Sequence, residues 1–245
     1  MALAHSPKIA TDGLVLCLDA GNTKSYPGSG TTWSDLSGNG YNFSLINSLT
    51  FNSANGGGIE QDGSNEYIER AYTPELSFNG NTSFTLQIVA KNNNLLSNYP
   101  SIASNGDPGG IGGGWDVFLY DDNNFGGEYG IIIFGRYQSG SSFQDAGGTC
   151  SYFFTSETDA NSTNFWCYTY SSTGGGKLYR NGNLIVSNSS TGSITRTLNP
   201  NVYIGKRTNG NVTNCTFYQF SAYNRALSAS EVKQNFNALR GRFGL

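Results

Sequence analysis

Tyr223-Asn-Arg-Ala-Leu-Ser-Ala-Ser-Glu-Val-Lys-Gln-Asn-Phe-Asn-Ala-Leu-Arg-Gly-Arg-Phe-Gly-Leu245 closes the chain, and its reading decides the fold. Ser228 stands where a helix N-cap accepts the backbone N–H of Glu231 while the Glu231 carboxylate reaches back, the Ser-x-x-Glu reciprocal box. Leu227 before the cap and Val232 at the fourth helical position form a hydrophobic staple. Val232, Phe236 and Leu239 then continue one apolar stripe at spacings of four and three. Lys233 and Arg240 oppose the helix dipole, and Gly241 is the expected left-handed stop. A helix this short is marginal alone in water, so the stripe predicts docking onto a surface already folded.

That surface is predicted to be β. Turn signals at Gly38-Asn-Gly40, Gly56-Gly-Gly58, Asn79-Gly80, Asn105–Gly110, Gly126-Gly127, Gly174-Gly-Gly176, Asn181-Gly182 and Asn209-Gly210 leave room only for short strands. The runs Ser83–Ala90, Trp115–Tyr120, Gly130–Phe134, Phe165–Tyr170, Lys177–Arg180, Leu184–Ser187, Val202–Ile204 and Thr216–Tyr223 combine branched and aromatic residues with partial alternation. Asn181-Gly182 predicts a two-residue type I′ hairpin flanked by Leu178 and Leu184, since both central positions need positive φ.

Composition narrows the function. Charged residues make up 13% of the 245, about half the usual share, with polarity supplied by Gly, Asn, Ser and Thr. A net charge of −3 and the lack of any Lys/Arg run argue against nucleic acid as a partner. No apolar stretch approaches the ~20 residues of a membrane span, and Met1–Ala10 has no signal-peptide pattern. Four cysteines, Cys17, Cys150, Cys167 and Cys215, allow three full pairings; the strand-like settings of Cys17 and Cys167 favour buried thiols.

Four motifs carry a resemblance. They are the Tyr-Asn-Arg-Ala-Leu-Ser-x-x-Glu ending; Phe165-Trp166 followed by Lys177-Leu-Tyr-Arg-Asn-Gly-Asn-Leu184; Asp62-Gly-Ser-Asn-Glu-Tyr-Ile68; and Asp12–Asn22 followed by Trp33–Gly40. Together they resemble the laminin-G-like, concanavalin A-type jelly rolls, in the version common in tailed-bacteriophage virion proteins. The resemblance implies an all-β fold: a two-sheet antiparallel jelly-roll β-sandwich with one short C-terminal helix. It would fill residues 12–245 as a single domain behind an N-terminal arm, 1–11.

The fold hosts lectins, glucanases and inert modules alike, so function must come from a site. The glucanase signature Glu-x-Asp-x-x-Glu is absent. Glu60-Gln-Asp62 and Glu66-Tyr-Ile-Glu69 flank a turn, where an Asp ordinarily bonds its own backbone. With the single histidine, His5, in the terminal arm, no nucleophile has a base. We therefore expect no catalytic residue, no cofactor and no metal ligand, although Asp107, Asp121 and Asp122 could lend oxygens to calcium.

The glycine-rich stretch Pro108–Gly114 delivers Trp115, Asp116, Tyr120, Asp121, Asn123 and, one hairpin on, Tyr137. Together these offer ring faces for sugar C–H surfaces and short polar groups for hydroxyls. The competing reading gives Trp115, Val117 and Leu119 to one sheet face and Asp116, Phe118 and Tyr120 to the other, with no ligand at all.

The function expected first is a non-catalytic structural protein on a phage virion surface, as capsid decoration or as a tail or fibre component. Its partners would be other virion proteins or copies of itself, with weak adhesion to a cell-surface glycan. A lectin-like carbohydrate-binding module of a cell-surface protein comes second, and a glucanase-like hydrolase a distant third.

Overall fold

The computed structural model describes residues 8–78, 80, 83–94, 101–106, 114–120, 131–137, 150–189, 191, 199–207 and 210–245, with backbone alone for 120 and 131–137. In chain order the strands are β1 (Leu14–Asp19), β2 (Thr32–Trp33), β3 (Phe43–Ile46), β4 (Thr50–Asn52), β5 (Gly58–Glu60), β6 (Tyr67–Arg70), β7 (Ser83–Asn94), β8 (Ser101–Asn105), β9 (Gly114–Tyr120), β10 (Ile131–Tyr137), β11 (Cys150–Phe153), β12 (Thr163–Ser171), β13 (Gly175–Arg180), β14 (Asn183–Asn188), β15 (Val202–Ile204) and β16 (Asn214–Tyr223). The helices are α1 (Pro74–Ser77), α2 (Glu157–Ala160) and α3 (Ala229–Phe243).

These strands form two antiparallel sheets. The first runs β14-β13-β12-β7-β16-β5-β4 with β1 also paired to β16; the second runs β11-β10-β9-β8-β15-β6-β3-β2. The architecture is the expected all-β sandwich with one C-terminal helix. Among the described residues no helix is long and apolar enough to cross a membrane.

Period-two alternation decides which side chains meet. On β7, Phe84, Leu86, Ile88 and Ala90 enter the core between the sheets, while Thr85, Gln87 and Val89 face the other way and are also buried. The same split on β12 sends Trp166, Tyr168 and Tyr170 inward and Phe165 and Cys167 outward. On β16 a bulge at Phe217–Gln219 places Tyr218 and Gln219 together on the outer side. The first sheet is thus buried on both faces because α3 covers its outer one.

That docking follows the sequence closely. Ser228 caps α3 with both bonds of the box formed, and Leu227, Val232 and Phe236 sink into a cluster with Val89, Phe165, Tyr179 and Tyr223. Each such side chain contributes about 1.5–3 kcal/mol on burial, far more than helix propensity supplies. The Phe236 ring meets Phe165 edge-on at 5.6 Å.

The hairpin lies beneath it. Asn181 and Gly182 both have positive φ, 50° and 73°, and a Cβ on Gly182 would lie 2.8 Å from the Phe236 ring. Leu178 and Leu184 sit on the flanking strands β13 and β14, as expected.

The helix end departs from expectation. Gly241 stays helical, and the left-handed cap is Gly244, φ 68°. Phe243, buried against Tyr218 at 5.1 Å, and Arg242, whose guanidinium bonds Asp19 and the Gly57 carbonyl, hold one further turn. Those contacts outweigh the roughly 1 kcal/mol that glycine costs inside a helix.

Of the terminal segment 1–11 the structure describes residues 8–11, which run beside α3. The Ala10 N–H donates to Asn235 Oδ1 (2.7 Å), the Tyr223 hydroxyl donates to the Ala10 carbonyl (3.0 Å), and Gln234 Nε2 donates to the Lys8 carbonyl (2.6 Å). All four cysteines are buried free thiols. Burial pushes Cys17 up to about 11 and Cys215 up to about 12, so the thiolate form that reacts is suppressed.

Candidate functional site

The outer face of the second sheet is assembled from strands far apart in sequence. Ile68, Val202 and Ile204 lie in the core, so Tyr67, Glu69 and Tyr203 between or beside them must face outward. Cross-strand pairing aligns Ser44 with Glu69, Glu69 with Tyr203, Tyr203 with Ser104, and Ser104 with Asp116. One row of outward side chains therefore crosses five strands.

At its centre Tyr67 and Tyr203 stand edge to face, 6.1 Å between ring centroids and 65° between planes. Lys206 Nζ sits 3.7 Å from the Tyr67 centroid and 5.1 Å from that of Tyr203, held by the ring quadrupoles. Asn201 Nδ2 donates to Glu69 Oε2 at 3.4 Å. Tyr67, Glu69, Asn201, Tyr203 and Lys206 are all half-buried, which is the state of groups that can still meet a ligand. Burial, reinforced by the neighbouring Glu69 and Tyr67, raises the Tyr203 phenol above its ordinary value, so it stays a neutral donor.

The segment bearing Lys206 is firmly held. The Ser104 hydroxyl donates to the Lys206 carbonyl (3.0 Å), and Lys206 pairs with Val212. Gly205, φ 76°, donates to the Ile102 carbonyl (2.8 Å) and accepts from Gln61 Nε2 (2.7 Å). A Cβ there would overlap Gln61 Oε1 at 1.8 Å, so only glycine fits.

At the β9 end of the row, Asp116 is 1% exposed. Its Oδ1 accepts from the Ser101 hydroxyl (2.6 Å) and its Oδ2 from Arg207 Nε (3.1 Å), while the guanidinium lies 4.9 Å from the Phe118 centroid. Desolvation outweighs the attraction of Arg207 and the Ser101 bond and pushes the Asp116 carboxyl up to about 6.

Of the glycan site read from the sequence, the structure describes the side chains of Trp115 and Asp116 alone. Trp115 is 1% exposed, lies in the core and donates its indole N–H to the Leu76 carbonyl (2.8 Å). Asp116 is spent on Ser101 and Arg207. Neither offers a surface to a sugar, because strand alternation gives Trp115 to the inter-sheet core and the ion pair encloses Asp116. Tyr120 and Tyr137 are placed by backbone only, at the end of β9 and of β10. Asp121 and Asn123 lie outside the described residues, as do Asp107 and Asp122.

Asn201, Tyr203 and Lys206 are not marked as site residues by the sequence, and Tyr67 and Glu69 stand out there only within the turn motif and the Glu66-Tyr-Ile-Glu69 carboxylate grouping. The local trace of their shared face is the alternation in Tyr67-Ile-Glu69 and Val202-Tyr-Ile204.

Elsewhere on the surface an open concavity of about 400 Å³ is lined by Thr50, Glu60, Gln61, Asp62, Glu66, Asn93 and Asn214. Its acids serve the turn. Asp62 Oδ1 accepts from the Ser64 N–H and Glu66 Oε2 from the Asp62 N–H, both at 2.8 Å, and Glu60 Oε1 accepts from Asn52 at 2.6 Å. The bond from Ser64 lowers Asp62, and burial raises Glu66. Glu69 follows this turn on β6, as expected, and faces outward from the sheet. Among the described residues no cluster of His, Cys, Asp and Glu is suited to a metal ion.

The chain belongs to the concanavalin A-like lectin/glucanases superfamily, whose laminin-G-type profile matches residues 62–233. No curated protein matches it. Among solved structures it is similar to the binding domain of botulinum neurotoxin DC in complex with SialylT (15% identity, TM-score 0.68, covering 94% of this chain and 52% of that one). It is likewise similar to the same toxin domain in complex with rat synaptotagmin II (16%, 0.70, 94% and 52%). A third similar structure is the binding domain of Paraclostridial Mosquitocidal Protein 1 (21%, 0.66, 93% and 52%). The chain spans about half the length of each, and at these identities the likeness is one of fold.

Proposed function

We propose that this protein is a non-catalytic, lectin-like module that binds carbohydrate on the outer face of its second sheet. The observation that carries the reading is the half-buried pair Tyr67 and Tyr203 with Lys206, Glu69 and Asn201 around it. Sugars are recognised by ring faces that meet their C–H surfaces and by a few fixed polar groups that pair with hydroxyls. This face supplies both on rigid strands. The named ligands of the similar toxin domains, SialylT among them, agree with a binding rather than a catalytic role.

Display on a phage virion, expected from the resemblance of the opening and closing motifs, is the second reading. It differs in what carries the module, not in what the face does.

The test is a glycan array probed with the wild type and with Tyr203→Ala and Tyr67→Ala, each checked for unaltered folding by circular dichroism. Truncating a central aromatic is expected to weaken binding roughly tenfold or more. Binding untouched by both changes would place the ligand elsewhere. Hydrolysis of a β-glucan that disappears in Glu66→Gln would overturn the non-catalytic reading.

A further inference from the structure

We propose that Lys206 makes this face selective for carboxylated sugars, such as uronic or sialic acids, over neutral ones; the inference rests on the carbohydrate-binding reading above. The cations around the face are not equivalent. Arg207 is committed to the buried Asp116. Arg70 donates to Thr73 Oγ1 and to the Asn42 carbonyl and lies over Tyr41. Lys206 has no carboxylate within 4.0 Å among the described residues. It rests instead on two neutral tyrosine rings, half-buried, with its backbone pinned by Ser104 and Val212. The rings hold the ammonium in place without neutralising it.

A carboxylate arriving there would gain charge-assisted hydrogen bonds from a donor already positioned and partly stripped of water. Glu69, the cross-strand partner of Tyr203, is complementary in the other sense. Glu69 lies two residues along β6 from Tyr67, roughly 7 Å away at strand spacing, and with Asn201 it presents acceptors suited to hydroxyls and unsuited to a second negative charge. A ligand with one carboxylate and a hydroxylated body fits this polarity, and a densely sulfated chain does not.

The experiment measures binding of trigalacturonate against its methyl ester, and of sialyllactose against lactose, to the wild type, Lys206→Gln and Lys206→Arg. At least one acid is expected to bind about tenfold more tightly than its neutral counterpart, the worth of one charge-assisted bond. That preference should fall below about twofold in Lys206→Gln, return in Lys206→Arg and shrink with added salt. Equal binding of acid and neutral forms, or a preference that survives Lys206→Gln, overturns the selectivity while leaving the carbohydrate site standing if Tyr203→Ala still abolishes binding. Failure of every glycan, neutral or acidic, to bind the wild type overturns both.

Discussion

Replacing Asp116 by Asn should make the protein more stable at neutral pH relative to wild type than it is in acid. The carboxyl titrates near 6 in the native protein, raised by burial from its ordinary 3.8. Between those values the native state holds more protons than the unfolded chain, so this group's contribution is greatest below about pH 4 and is lost as pH rises through 6. The interval corresponds to roughly 3 kcal/mol. Asn keeps the shape and the Ser101 partner without the charge, and should therefore gain about that much on wild type between about pH 4 and pH 7. Urea unfolding followed by tryptophan fluorescence at a series of pH values measures it, because the difference between the two proteins cancels the other carboxylates. The complementary change, Arg207→Met, strands the carboxylate and should cost about 3–5 kcal/mol at pH 7 and much less near pH 5. A difference between wild type and Asp116→Asn that stays flat across the range would refute the account of desolvation outweighing the ion pair.

Asn235→Ala should cost about 3 kcal/mol in equilibrium unfolding, since it orphans the buried Ala10 N–H and the Gln87 Oε1 that it bonds at 2.7 and 2.8 Å; hydrogen exchange at the Ala10 amide should quicken as well. Glu231 is held down to about 2 by the Arg225 guanidinium and the Ser228 cap. As a carboxylate with a depressed native value it stabilises above about pH 4.5 and loses that contribution as pH falls toward 2. Glu231→Gln should accordingly cost about 1 kcal/mol at pH 7 and almost nothing at about pH 2 and below, read from paired thermal melts. Gly205→Ala must move Gln61 or the backbone, and should cost about 2–4 kcal/mol while weakening glycan binding through displacement of the adjacent Lys206.

What the sequence alone determined rests on interactions between near neighbours. The Ser228 to Glu231 box, the Leu227 to Val232 staple and the Asn181-Gly182 turn each involve residues within a few positions, where chain geometry fixes who can touch whom. The alternation that marks β7, β9 and β12 is legible for the same reason, and with the helix stripe it implied a sandwich bearing one docked helix. The tertiary structure alone decided the end of that helix at Gly244, because Phe243 and Arg242 are held by residues more than 20 positions away. It also decided that Trp115 belongs to the core and Asp116 to Arg207, and that Tyr67 and Tyr203, 136 positions apart, share one face. Alternation says that a side chain faces away from its neighbours in sequence; only strand order says what lies there, and strand order is set by long-range packing that no local pattern encodes.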